Sequence, residues 1–140
     1  MARSRFTLYS RYCIFPAVVC LSHGALVSAE TSGNLLCALV DVVACDDEEL
    51  CLKGSSRDFD LPEVLVIDLA KEQVRGHEGS GIEAVSPIRN SENTGKQLIL
   101  QGVEDHRGWT IAVDHSDKSM ALTSSGSGVN LMIFGSCTAN

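Results

Sequence analysis

Histidines, a run of carboxylates, a serine-rich segment and six cysteines are the residues of this 140-residue chain that could carry chemistry. His106 stands in Glu104-Asp105-His106-Arg107, and His115 in Asp114-His115-Ser116-Asp117. A histidine beside carboxylates suits acid–base work, and two together would suit a metal. The stretch between them, Trp109 to Asp114, reads as a strand, and its six residues span roughly 20 Å at about 3.4 Å each. The two histidines therefore fall at opposite ends of one strand, in ordinary polar turns. Gly76-His77-Glu78-Gly79 has no second histidine at helical spacing, so a zinc-protease pattern is missing. Asp46-Asp47-Glu48-Glu49 lacks the alternating ligands and central glycine of a calcium loop and reads as a solvated acidic turn. Ser124-Ser125-Gly126-Ser127-Gly128 is not a nucleophile elbow, and no helix follows it. The chain is read as non-enzymatic, with no catalytic residue, metal or cofactor expected.

What the cysteines do depends on the compartment, and the first 29 residues speak to that. Arg3, Arg5 and Arg11 form a basic segment, Cys13 to Leu21 is apolar, and Val27-Ser28-Ala29 closes with small residues at −3 and −1. This is the pattern of a cleaved secretory signal peptide, and it predicts a periplasmic or secreted protein. Residues 30–140 then form a single domain of 111 residues. All 18 acidic residues but only 8 of the 11 basic ones lie in it, a net charge of −10. So acidic a domain repels nucleic acid and anionic lipid surfaces, and both are set aside as partners. No other apolar run approaches the roughly 18 residues of a membrane helix, so no stable membrane insertion is expected after cleavage.

Cys13 and Cys20 leave with the leader; Cys37, Cys45, Cys51 and Cys137 remain. An even number in a small exported domain reads as two disulfides, with three pairings open. Spacing favours Cys45–Cys51, which would close the acidic loop, and Cys37–Cys137, which would tie the first strand to the last. Cys45-x5-Cys51 is no zinc knuckle.

The elements that must position these residues read as strands punctuated by turns. Leu35 to Cys45 suits a strand or a helix, and Val40, Val42 and Val43 tip it to strand. Residues 51–60 are irregular. Glu63 to Leu69 is a β-branched strand, Gln73-Val74-Arg75 a short return, and Gly76 to Gly81 a loop. Ile82 to Arg89 alternates around Pro87, which argues for an edge or a bulge, and Asn90 to Gly95 reads as a turn. Strands follow at Lys96 to Val103, Trp109 to Asp114, Ser119 to Ser124 and Val129 to Phe134. Turns this short permit only antiparallel neighbours. The expected fold is all-β: a small antiparallel meander closing into an eight- or nine-stranded barrel, which removes aggregation-prone edges. An open β-sandwich is the alternative.

Trp109, the only tryptophan, suits a core or barrel-end plug. A sharper alternative makes it the wall of a ligand mouth with Met120, Met132 and Phe134, since small barrels either fill with side chains or hold one small ligand. The scarcity of aromatic residues, 5% of the chain, favours a filled interior.

Leu61-Pro62, Leu98 to Glu104 (LILQGVE), Arg107-Gly108-Trp109 and Phe134-Gly135-Ser136-Cys137-Thr138 occur in this order over most of residues 30–140. In these phrases the chain resembles a family of short exported proteobacterial proteins of unassigned function. The resemblance implies a Gram-negative, periplasmic, β-rich protein and supplies no catalytic residues.

The leading expectation is a non-enzymatic interaction or structural module of the cell envelope, partnered by an envelope protein. The second is a carrier of a small apolar ligand. A cavity of a few hundred Å³ beside Trp109 would favour the carrier, and a filled barrel with an exposed apolar patch the module.

Overall fold

The computed structural model describes residues 33–48, 50–80 and 84–140. The expected leader and its cleavage site lie outside the described residues, as do Glu49, Gly81, Ile82 and Glu83. The described residues form nine antiparallel strands: β1 (Asn34–Cys45), β2 (Cys51–Gly54), β3 (Val64–Asp68), β4 (Gln73–Gly76), β5 (Val85–Asn93), β6 (Gln97–Glu104), β7 (Arg107–Asp114), β8 (Ser119–Ser125) and β9 (Asn130–Ala139). One 3-10 turn, Ser56–Phe59, separates β2 from β3.

Eight strands close into a barrel in the order β1-β3-β4-β5-β6-β7-β8-β9, and β9 returns to pair with β1. β2 lies outside this ring. β3 opposes Asn34 to Ala38 and β2 opposes Val42 to Cys45, while β9 runs along β1 from Leu35 to Cys45. The long first strand thus carries two short partners in succession on one edge. Closure satisfies the backbone groups that an open sheet would leave bare.

Two bulges bend the ring. Val40 is an extra residue of β1 against β9, and Arg89 an extra residue of β5 against β6. Gly135 faces the first bulge, where a Cβ would stand 2.0 Å from the Ala38 carbonyl oxygen. Only glycine fits that approach. The Asp105-His106 turn between β6 and β7 has positive φ at both positions, 46° and 62°, the twist a two-residue hairpin requires. His106 is therefore a turn residue, and His115 lies beyond the far end of β7.

Side chains alternate as the pleat dictates. Leu98, Leu100, Trp109, Ile111 and Val113 face the interior with Cys37, Leu39, Val42, Ile67, Met120, Ile133 and Cys137. Both expected disulfides are present, Cys37–Cys137 and Cys45–Cys51. In each, the two cysteines are direct cross-strand partners. The first is buried in the core, and the second closes the exposed β1–β2 hairpin.

Two expectations of extent are corrected. Asn90 to Asn93 belong to β5 and not to a turn, because pairing with Leu98 to Gln101 carries the strand through polar residues. β9 runs on past Phe134 to Ala139, held by its pairing with β1. Beyond Ile88, no strand pairs with the β4-facing edge of β5 among the described residues. That edge carries Arg89, Asn90, Ser91, Glu92 and Asn93, all exposed and polar, which discourages pairing with another chain.

Candidate functional site

The barrel interior is filled around Ile67, Leu100 and Ile111, which are fully buried. Toward the end where β7 begins, it opens into a cavity of about 260 Å³. Leu39, Leu65, Val74, Ile111, Leu122, Leu131 and Ile133 form apolar walls, and Trp109 forms one side. The interior is therefore packed at one end and hollow at the other, where a filled interior was expected.

Local structure places each part. Trp109 crosses to Gly102, its partner on β6. A Cβ at Gly102 would lie 2.2 Å from the indole Cζ2, so the glycine makes room for the ring. The indole Nε1 donates to the Ser86 Oγ at 2.7 Å, in a buried bond that ties β7 to β5. Ser86, only 5% exposed, also lines the cavity.

The mouth is covered in part by the segment between β2 and β3. Ser55 donates its N–H and its hydroxyl to Asp58 Oδ2, both at 2.7 Å, and the Leu61 N–H donates to the Ser56 carbonyl at 2.9 Å. These backbone and hydroxyl bonds from Ser55 hold the Asp58 carboxyl below its ordinary value. Arg57 and Glu63 form an ion pair, and the Leu39 N–H donates to the Glu63 carbonyl at 2.9 Å. So anchored, the segment lays Leu61 and Pro62 against the cavity. On the opposite side, Arg107 donates to the Ser124 hydroxyl at 3.2 Å and to the Val129 carbonyl, tying the β8–β9 turn to β7. Asp60 and Glu104 line the rim, and neither pairs with a cation among the described residues.

Of the four side chains expected to share a ligand mouth, the structure gives only Trp109 to the cavity. Met120 is buried in the core beside Gly135, away from it. Met132 and Phe134 are corrected: they are 46% and 43% exposed on the outer face. The reason is parity. Ile133 between them is 2% exposed and points inward, so its neighbours point out. Leu131 and Ile133 are the residues that β9 contributes to the cavity.

The histidines do not converge. His115 Nε2 lies 3.1 Å from Asn93 Oδ1, at the opposite end of the barrel from the His106 turn. Asp46 Oδ1 accepts the N–H groups of Glu48 and Leu50, so the acidic loop is shaped by its own carboxylate. Among the described residues, no group of three or more His, Cys, Asp or Glu could hold a metal ion, and no helix is long and apolar enough to cross a membrane.

Sequence reasoning missed Ser86 and Leu61 as parts of a site. Ser86 shares the parity of Ile88 on β5, its only signal. No family model matches this chain, and neither the curated proteins nor the solved structures contain a significant match to it.

Proposed function

We propose that this domain binds a small apolar molecule in the cavity beside Trp109, without catalysing a reaction on it. The observation that carries the reading is the cavity itself: about 260 Å³, walled by aliphatic side chains, at the mouth of an otherwise filled barrel. An apolar cavity of about 150 Å³ takes up benzene, so this one suits a ligand of about ten non-hydrogen atoms. Two disulfides support an oxidising setting, in keeping with an exported protein of the periplasm or cell exterior.

The test uses the single tryptophan. Titration with nonan-2-one, followed by Trp109 emission, is expected to saturate with a dissociation constant of about 1–100 μM for a ligand of that size. A signal linear in ketone up to its solubility limit would leave the reading without support. Native mass spectrometry of protein taken from its own cells would show a retained ligand directly.

A second reading has its own observation. Val40, Met132 and Phe134 are exposed on the outer faces of β1 and β9, where Phe134 opposes Asp41 and Met132 opposes Val43. Clustered exposed apolar side chains suit contact with an envelope protein. In-cell cross-linking from position 132 would capture such a partner, and cross-links found equally from any surface position would count against it.

A further inference from the structure

We propose that the cavity's ligand carries one uncharged hydrogen-bond acceptor, a ketone or ester carbonyl, on its apolar body, and that Ser86 reads it. The inference rests on the apolar-ligand reading above and adds the ligand's chemical class.

A hydroxyl offers one proton and two lone pairs. The Ser86 Oγ accepts the Trp109 indole N–H at 2.7 Å. That bond uses a lone pair and leaves the hydroxyl proton free. No acceptor for it is found among the described residues. Ser86 is nine-tenths buried and lines the cavity, so the acceptor for this proton has to come from what occupies the cavity. A buried donor without an acceptor is costly, and an acceptor on the ligand would remove that cost. The indole N–H also polarises the hydroxyl it donates to, which makes Ser86 a better donor.

Charge narrows the class. Asp60 and Glu104 stand at the rim without cationic partners, which opposes an anionic ligand. Arg75 borders the cavity as well, but by strand parity not as an inward-pointing residue. Val74 is the inward residue of β4, and Arg75 faces Val66 in a groove on the outer side. A fatty carboxylate therefore meets two unpaired carboxylates at the mouth and no inward-pointing cation on β4. A neutral carbonyl compound meets apolar walls and one waiting donor.

The test compares nonan-2-one with decane, each of ten non-hydrogen atoms, by headspace partition into the full-length protein. Each affinity is corrected for transfer of that probe from water to hexadecane. In the Trp109→Phe variant the Ser86 hydroxyl remains, and the corrected preference for the ketone is expected to persist, whatever happens to both affinities. In the double variant Ser86→Ala/Trp109→Phe no donor remains, and the preference is expected to fall about three- to tenfold. The same preference in all three proteins overturns the assignment. Infrared spectroscopy of the ketone bound to the unaltered protein needs no variant. A carbonyl stretch lowered relative to decane solution supports the inference, and an unshifted band overturns it, with a resident water taking the Ser86 proton instead. Failure of the unaltered protein to take up either probe removes the apolar-ligand reading itself, a result distinct from loss of the ketone preference alone.

Discussion

Trp109 packs against Gly102 so closely that a methyl group at 102 would meet the indole at 2.2 Å and the Pro87 carbonyl oxygen at 2.6 Å. Neither neighbour can give way: one is a buried ring bonded to Ser86, the other is backbone. Gly102→Ala is expected to destabilise the domain by about 1–3 kcal/mol or more, the usual range for overpacking a tight core. It should also red-shift the Trp109 emission as the ring is pushed toward the mouth. Urea unfolding and a fluorescence spectrum measure both, and an unchanged midpoint would contradict the contact.

The two disulfides should contribute unequally. Cys37 and Cys137 are 100 positions apart, and Cys45 and Cys51 only 6. The loop-closure relation assigns nearly 5 kcal/mol to the long link and about 2 kcal/mol to the short one. Cys37→Ala/Cys137→Ala should therefore lower the unfolding free energy more than Cys45→Ala/Cys51→Ala does. Burial adds a kinetic difference. Cys37 is wholly buried and Cys51 is exposed, so mild reductant should open the hairpin link first, as mass spectrometry after alkylation would record.

Acid should weaken the fold in a defined direction. Asp68 is nearly buried at the end of β3, where its carboxylate accepts the Lys71 N–H at 2.9 Å with the Lys71 ammonium 3.4 Å away. The backbone bond first, aided by that ammonium, holds its pKa below the ordinary 3.8. The unfolded chain regains the ordinary value and so takes up the proton first as pH falls. The stabilisation is whole above about pH 5 and is lost as pH drops through the folded-state value. Asp58, Asp114 and Asp117 shift the same way through hydrogen bonds from Ser55, Ser116 and Ser119. Unfolding midpoints should be level from about pH 8 to 5 and decline below about pH 4. Asp68→Asn should lower the plateau and soften the decline; a curve identical to that of the unaltered protein would remove Asp68 from the account.

Parity on β9 separates two kinds of substitution. Met132→Ser/Phe134→Ser alters only the half-exposed outer face and should cost about 1 kcal/mol or less per site. Ketone uptake should be unaffected. Ile133→Ala removes a buried wall and should cost about 2–5 kcal/mol. Equal effects of the outer and inner changes would mean that β9 is registered the other way.

The strands were most legible where alternation was clean. In Trp109 to Asp114, every second residue is apolar, and the inward face could be named. Val129 to Phe134 is apolar almost throughout, so no period marked its faces, and Met132 and Phe134 were assigned to the wrong side. The disulfide pairing was legible because one close pair and one distant pair suit a meander whose ends meet. The cavity was not legible. It depends on how the segment around Leu61 crosses the barrel end, which is a non-local contact. Ser86 was equally hidden, because a lone serine beside a proline gives no hint of a tryptophan 23 positions later.

The Cys37–Cys137 link also determines what a protease can accomplish. Every peptide bond from Cys37 to Cys137 lies within one covalent ring, so a single cut in any exposed loop opens the ring without releasing a fragment. The glycine-bearing loop after β4, at His77 to Ser80, could be nicked and both pieces would stay joined while the strands keep their partners. A nicked molecule would run at full mass until reduced. Durability under proteolysis, beyond thermal stability, follows from placing one crosslink where the first strand meets the last.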